Sequence, residues 1–152
     1  MNYKEKTISR KEMEQKVHAF IDHCRESGHK VTPQRIAVYK ELIRSADHPS
    51  AEMLYRKIKK VSPSISLDTV NRTLLTLYEM GEASVVEGSG DVKRYDAGQG
   101  KHQHFRCMKC RRIVDFHYKP FDDIKIPASL SRKFTILRKT IYLEGICDRC
   151  GS

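Results

Sequence analysis

Apolar residues recur at helical spacing through the first half of this 152-residue chain, and polar residues between them mark where each helix starts and stops. Met13, Val17, Phe20, Ile21 and Cys24 share one face of a helix that opens on Ser9-x-x-Glu12 and ends by Gly28. That opening is a capping-box pattern, in which each side chain answers the other's backbone N–H. Thr32-Pro33 sets a cap ahead of a first-turn proline and leads into Ile36, Tyr39, Leu42 and Ile43. A third helix starts at Ser50 and carries Leu54, Ile58 and Val61 before the Ser62-Pro63-Ser64 turn. A fourth, capped by Ser66, aligns Leu67, Val70, Leu74 and Leu77 and stops near Gly81. Asp68, Thr69, Asn71, Arg72, Thr73 and Thr76 are left on its other faces. Short helices joined by a tight turn, the last presenting polar and basic side chains, fit a helix-turn-helix, although a small helical bundle shares the pattern. Beyond Gly81, Ala83–Glu87 and Lys93–Tyr95 form two strand candidates around Gly88-Ser89-Gly90-Asp91, a hairpin placed to act as a wing.

The second half carries the metal-ligand chemistry. Cys107-Met108-Lys109-Cys110 and Cys147-Asp148-Arg149-Cys150 are two C-x-x-C turns, each presenting both sulfurs on one side of the backbone, so that together they close a tetrahedral Zn²⁺ shell. Two disulfides and a thioredoxin-like redox pair are the competing chemistries. No apolar leader precedes the chain and Cys24 leaves an odd thiol, which points to a reducing cytoplasm. Cys24 itself reads as a small buried hydrophobe. His102 and His104 stand just upstream, two residues apart, and in a strand they face the same side.

Charge permits a polyanionic partner without locating it. The net charge is +10, but residues 1–95 carry 17 Lys and Arg against 13 Asp and Glu, and the remainder 12 against 6. No apolar run approaches the roughly 20 residues needed to span a bilayer. No H-E-x-x-H helix or nucleophile elbow is present, which argues against a zinc hydrolase and, more broadly, against an enzyme.

Several stretches then align in order: Thr32-Pro33-Gln34-Arg35, His48-Pro49-Ser50-Ala51, Arg94-Tyr95-Asp96, His102-Gln103-His104-Phe105-Arg106-Cys107, Ile113-Val114-Asp115-Phe116 and an alternating run from Phe134 to Leu143. This order resembles the ferric uptake regulator (Fur) family from about Lys30 to Cys150. The resemblance implies an α+β chain: a winged helix-turn-helix DNA-binding domain over 1–95, a hinge over 96–100, and a small α/β dimerisation and metal-binding domain over 101–152 with a four-cysteine zinc site. It further implies a homodimer that represses transcription at a double-stranded operator under metal control. Carried over by position, the regulatory site falls on His48, Asp96, His102, His104 and Asp115. Neutral nitrogens with hard carboxylates suit Fe²⁺ or Mn²⁺, whereas the thiolates select Zn²⁺. His18, His23, His29 and His117 match nothing in this pattern.

Within the family, the chain is most similar to the peroxide-responsive (PerR) type, which also carries aspartate at the positions of Asp96 and Asp115. Lys101, Gln103 and Lys139 stand where other sensors build an additional site. The implied chemistry is iron-catalysed oxidation of a ligand histidine, His48 or His102. An iron-responsive repressor without peroxide chemistry, and a zinc-stapled metal-binding protein without DNA affinity, are the alternatives. Candidate DNA contacts are Thr69, Asn71 and Arg72 on the fourth helix, Lys93 or Arg94 on the wing, and Lys30 or Arg35 toward phosphates. Two positions depart from the family: Asn71 replaces a frequent tyrosine, and Arg111 follows the first cysteine turn where glycine is frequent, a strain if that backbone needs positive φ.

Overall fold

The computed structural model describes residues 7–86, 90, 92–98 and 100–151. Side chain-to-backbone bonds set the helix starts. At α1 (Arg10–Glu26) the Ser9 hydroxyl accepts from the Glu12 N–H at 3.2 Å, and the Glu12 carboxylate accepts from the Ser9 N–H at 2.9 Å. The hydroxyls of Thr32, Ser50 and Ser66 cap α2 (Pro33–Arg44), α3 (Ala51–Lys59) and α4 (Leu67–Glu79) by accepting from the N–H groups of Arg35, Met53 and Thr69 at 3.1, 3.2 and 3.1 Å. Each cap contributes about 1 kcal/mol and fixes where its helix begins.

The apolar stripes so phased meet in one core, with Met13, Val17, Phe20 and Cys24 from α1, Val38, Tyr39, Leu42 and Ile43 from α2, Leu54 and Ile58 from α3, and Val70, Leu74 and Leu77 from α4. Phe20 stacks on Tyr39 with ring centroids 4.2 Å apart, and burial pushes the Tyr39 phenol up to about 12. Two positions differ from the periodic pattern. Val61 lies beyond the end of α3, where the Val61 and Ser62 N–H groups both turn back to the Ile58 carbonyl, and it is 83% exposed. Thr73 is buried, one turn after Val70 and beside Leu74.

After α4 the chain forms a short antiparallel ladder, β1 (Ser84–Val85) against β2 (Tyr95–Asp96), with Ser84 opposite Asp96 and Val85 opposite Tyr95. The second strand therefore starts two residues later than the pattern of Lys93–Tyr95 suggests. Glu87, Gly88, Ser89 and Asp91 of the expected hairpin lie outside the described residues. Helix α4 packs on α2 and α3, with this ladder following it, so residues up to the chain's division near Gly98 make a winged helix-turn-helix.

The C-terminal unit is a three-stranded sheet in the order β4–β3–β5. Strand β3 (Gln103–Cys107) pairs antiparallel with β4 (Ile113–Phe116) and parallel with β5 (Tyr142–Gly145), the connection passing through the single turns α5 (Lys119–Asp122) and α6 (Ala128–Ser131). The alternating run contributes only Tyr142 and Leu143 to β5 among the described residues, and upstream Phe134 and Leu137 are 60% and 92% exposed. Only Cys107, Ile113 and Cys147 are buried apolar residues in the described part of this unit.

The turn from β3 to β4 places Arg111 at φ +64°, the left-handed region, with its N–H donating to the Cys107 carbonyl at 3.0 Å. An L-residue pays about 1–2 kcal/mol there, partly offset against glycine by the latter's greater unfolded-state freedom. Arg111→Gly is therefore expected to stabilise the zinc-loaded protein by about 0.5–1 kcal/mol in urea unfolding, with zinc content unchanged.

Candidate metal centres

The first centre is built by two matching turns. Cys107 ends β3 and Cys147 follows β5, which the parallel register brings alongside, with Cys107 opposite Gly145. In each turn the residue after the second cysteine donates back to the carbonyl of the first: Arg111 to Cys107 at 3.0 Å and Gly151 to Cys147 at 2.9 Å. The four sulfurs of Cys107, Cys110, Cys147 and Cys150 lie within 4.8 Å of one another, and all four cysteines are free of disulfides. Backbone N–H groups of Cys110 and Cys147 aimed at the Cys107 sulfur pull its thiol down to about 6. Hydrogen bonding with the Cys110 and Cys147 side chains pushes the Cys150 thiol up to about 12. One thiolate forms readily and a fourth only with difficulty, because hydrogen bonds to the neighbouring cysteines hold the proton on Cys150, with burial and the charge on Cys107 adding smaller effects. A divalent cation removes that penalty, so the donor set fits tetrahedral Zn²⁺.

A second set of ligands lies in the C-terminal unit. His102 and His104 flank Gln103, and strand alternation sends both imidazoles to one face. Their Nε2 atoms are 3.2 Å apart. Asp115 is the direct cross-strand partner of His104, and its Oδ1 lies 3.3 Å from the His104 Nε2 and 4.0 Å from the His102 Nε2. Ligands about 2.1 Å from one octahedral ion sit about 3 Å apart when adjacent, so this triangle has metal-binding dimensions. The His102 Nδ1 faces the Gly100 carbonyl at 3.2 Å. Only an N–H can satisfy a carbonyl, so the neutral ring keeps its Nε2 lone pair for the shared point.

The N-terminal unit holds the remaining two predicted ligands. His48, in the α2–α3 connection, and Asp96, on β2, are 4% and 3% exposed, with the His48 Nε2 3.9 Å from the Asp96 Oδ2. The Gly98 N–H donates to the Asp96 Oδ1 at 2.6 Å and orients the carboxylate. His48 is left-handed at φ +49°, a conformation that histidine tolerates better than most non-glycine residues.

On the opposite face of β3, buried Gln103 donates to the Asp122 carboxylate at 2.8 Å and accepts from the Tyr118 N–H at 2.9 Å. His117 pairs with the other Asp122 oxygen at 2.9 Å and holds that carboxyl below its ordinary range. The Lys139 ammonium donates to the carbonyls of Asp122 and Ile124 at 2.5 and 2.7 Å. An amide and an ammonium thus occupy the polar groups that an additional ion would require. His23, which also fell outside the predicted ligand pattern, pairs with Glu82 at 2.6 Å.

The predicted DNA contacts divide by what their side chains do. Arg72 is exposed and paired within the helix to Asp68 at 2.7 Å, Asn71 donates to the Leu67 carbonyl at 3.2 Å, and Thr69 meets the Ser66 cap at 2.9 Å. Asn71 and Lys93 line a cleft of about 330 Å³ with Ser50, Leu67 and Tyr95, between α4 and the wing. Arg35 donates to the Lys30 carbonyl. Arg94 points inward and donates to the carbonyls of His48 and Asp47. That contact reaches back 46 and 47 residues along the chain and leaves little trace in the local sequence. Its only local signal is that Arg94 stands two residues before Asp96.

Comparison with known proteins identifies the family. The model of the ferric uptake regulator family matches residues 26–144. A peroxide-responsive repressor PerR of Staphylococcus epidermidis is 31% identical over 130 residues, covering 86% of this chain and 87% of the relative. The PerR structure from Streptococcus pyogenes, described as the basis of peroxide sensing and gene regulation, is 30% identical with a TM-score of 0.51, covering 88% of this chain and 92% of that one. The Helicobacter pylori ferric uptake regulator shares the fold at a TM-score of 0.77 and 23% identity, over 92% of this chain and 94% of that one. With most of its length matched by the family model, the chain belongs to the ferric uptake regulator family.

Proposed function

We propose that this protein is a peroxide-sensing transcriptional repressor whose single regulatory centre joins His102, His104 and Asp115 of one unit to His48 and Asp96 of the other around Fe²⁺ or Mn²⁺. Family membership makes it a metal-responsive transcriptional regulator rather than an enzyme. The observation that carries the regulatory reading is the convergence of His102, His104 and Asp115 on one point at 3.2–4.0 Å. Likeness to peroxide-responsive repressors at about 30% identity over most of the chain supports the peroxide signal.

Three imidazole nitrogens and two carboxylates would offer a hard divalent ion five donors. When bound, iron supplies the redox chemistry that cleaves the peroxide O–O bond. The chain would supply the rest: His48 and His102 are the ligand rings open to oxidation, and one of them would gain an oxygen atom from the peroxide while water leaves. The oxidised ring loses its original ligand geometry, and the DNA-binding form is lost. Manganese in the same centre gives a repressor insensitive to peroxide. The four-cysteine centre is permanent and structural.

The operator is double-stranded DNA, read by α4 through Thr69, Asn71 and Arg72, with Lys93 of the wing and Lys30 or Arg35 reaching phosphates. Asn71 in place of tyrosine suits adenine recognition. The working form is a homodimer. Phe134, Leu137, Tyr142, Leu143 and Ile146 of the C-terminal unit are all more than a third exposed, an apolar surface that a second copy would bury. No helix among the described residues is long and apolar enough to cross a membrane.

Two outcomes follow. Peroxide added anaerobically to the Fe²⁺ form is expected to add the mass of one oxygen atom to His48 or His102 and abolish a gel shift on the protein's own promoter, while the Mn²⁺ form keeps both its mass and its shift. Unmodified histidines, with release on chelation alone, would point to iron sensing, and no shift with either metal to a zinc-stapled protein without DNA affinity. Cys147→Ser is expected to release zinc and shift the protein from dimer to monomer or aggregate in size exclusion, since structural zinc contributes on the order of 10 kcal/mol to such domains.

A further inference from the structure

Arg94 and the two residues of β2 that follow it grip three consecutive residues of the connection between α2 and α3. The Arg94 Nε donates to the His48 carbonyl and its Nη2 donates to the Asp47 carbonyl at 2.5 Å. The Tyr95 N–H donates to the Pro49 carbonyl at 3.0 Å. Asp96 then presents its carboxylate to the His48 ring at 3.9 Å. Between these grips His48 is held at φ +49°. Even for histidine a left-handed backbone costs some free energy and is held by its surroundings, and a planar guanidinium spanning two successive carbonyls holds it, because both donors come from one rigid fork.

We infer that Arg94 is a positioning residue for the regulatory centre: it fixes the backbone of His48 so that the imidazole meets Asp96, and ties that ligand to the wing. Donation to the carbonyls of Asp47 and His48 turns the guanidinium toward the protein, in place of the phosphate contact its charge suggests. A lysine cannot reproduce the grip, since its point charge does not match two carbonyls at once. Lys93, the preceding residue, is exposed on the wing. Movement of His48, whether by loss of the ion or oxidation of the ring, therefore pulls through Arg94 on the segment that carries Lys93. The inference rests on His48 and Asp96 being ligands, as proposed above.

The test measures Mn²⁺ affinity of the zinc-loaded dimer for wild type, Arg94→Ala, Arg94→Lys and His48→Ala, then operator affinity against salt at saturating Mn²⁺. Arg94→Ala is expected to bind Mn²⁺ about 10–100-fold more weakly, the usual effect of removing a group that orients a ligand, with Arg94→Lys between it and wild type. At saturating Mn²⁺ both variants should bind the operator within about twofold of wild type, with the slope of log K against log salt unchanged. Wild-type Mn²⁺ affinity in Arg94→Ala, with a salt slope shallower by about one, would make Arg94 a phosphate contact and overturn the inference. Should Arg94→Ala lose helical content, Arg94→Lys decides, and wild-type Mn²⁺ affinity there overturns the inference too. Undiminished Mn²⁺ binding by His48→Ala overturns the reading of the centre itself, whereas weakened binding by His48→Ala beside wild-type binding by the Arg94 variants overturns the positioning role alone.

Discussion

Four sulfurs within 4.8 Å of one another are the constraint on which the C-terminal unit depends. The sheet has too little apolar interior to hold itself: its described part buries Cys107, Ile113 and Cys147 and leaves most of its large hydrophobic side chains more than a third exposed. A domain of this size needs a staple. The sulfurs provide one, at the end of β3 and just after β5, where they clamp the parallel pair whose strands are farthest apart in the chain. Cys107 and Cys110 also belong to the turn from β3 to β4, and the antiparallel register that this turn sets puts His104 opposite Asp115. The proposed sensing chemistry is therefore set out by the permanent zinc site without sharing a ligand with it.

The two proposed ligand sets also divide by donor. Thiolates favour Zn²⁺, while imidazole and carboxylate suit Fe²⁺ or Mn²⁺. Second contacts sharpen the division. The Gly100 carbonyl sets the His102 tautomer, the Gly98 N–H orients Asp96, and Arg94 holds the backbone of His48. On the other face of β3, Gln103 and Lys139 occupy the polar groups around Asp122, so the sheet satisfies that side without an ion.

Features governed by neighbours in the chain were legible from the residues alone. Ser9, Thr32, Ser50 and Ser66 each cap a helix within three residues of themselves, and the spacing of Met13 to Cys24 or Val70 to Leu77 phases a face. The left-handed turn at Arg111 was suggested only by the family's frequent glycine at that position, since nothing in the local residues marks it. Legibility failed where the deciding partner is distant. Val61 is the local exception: it continues the apolar spacing, but its N–H and that of Ser62 both turn back to the Ile58 carbonyl and close the helix. The run from Phe134 alternates like a strand, but a strand also needs a neighbour to accept its backbone bonds, and only from Tyr142 does β3 supply one. Arg94 reads as a surface cation because the carbonyls it seeks lie 46 and 47 residues earlier. The ligand set was read through family resemblance, which supplied the pairing that spacing alone lacks.

The parallel pairing of β3 with β5 also orders assembly in time. The N-terminal unit is built from helices packed against near neighbours in sequence, contacts that close quickly. The C-terminal sheet must bring Cys147 back to Cys107 across 40 residues, a closure with a larger entropic barrier and, before metal arrives, little apolar reward. A cell short of zinc would accordingly accumulate chains whose DNA-reading half is complete while the other half stays open, with its apolar side chains displayed to proteases and chaperones. Zinc supply would then set how much of the repressor exists, and the second metal whether it acts.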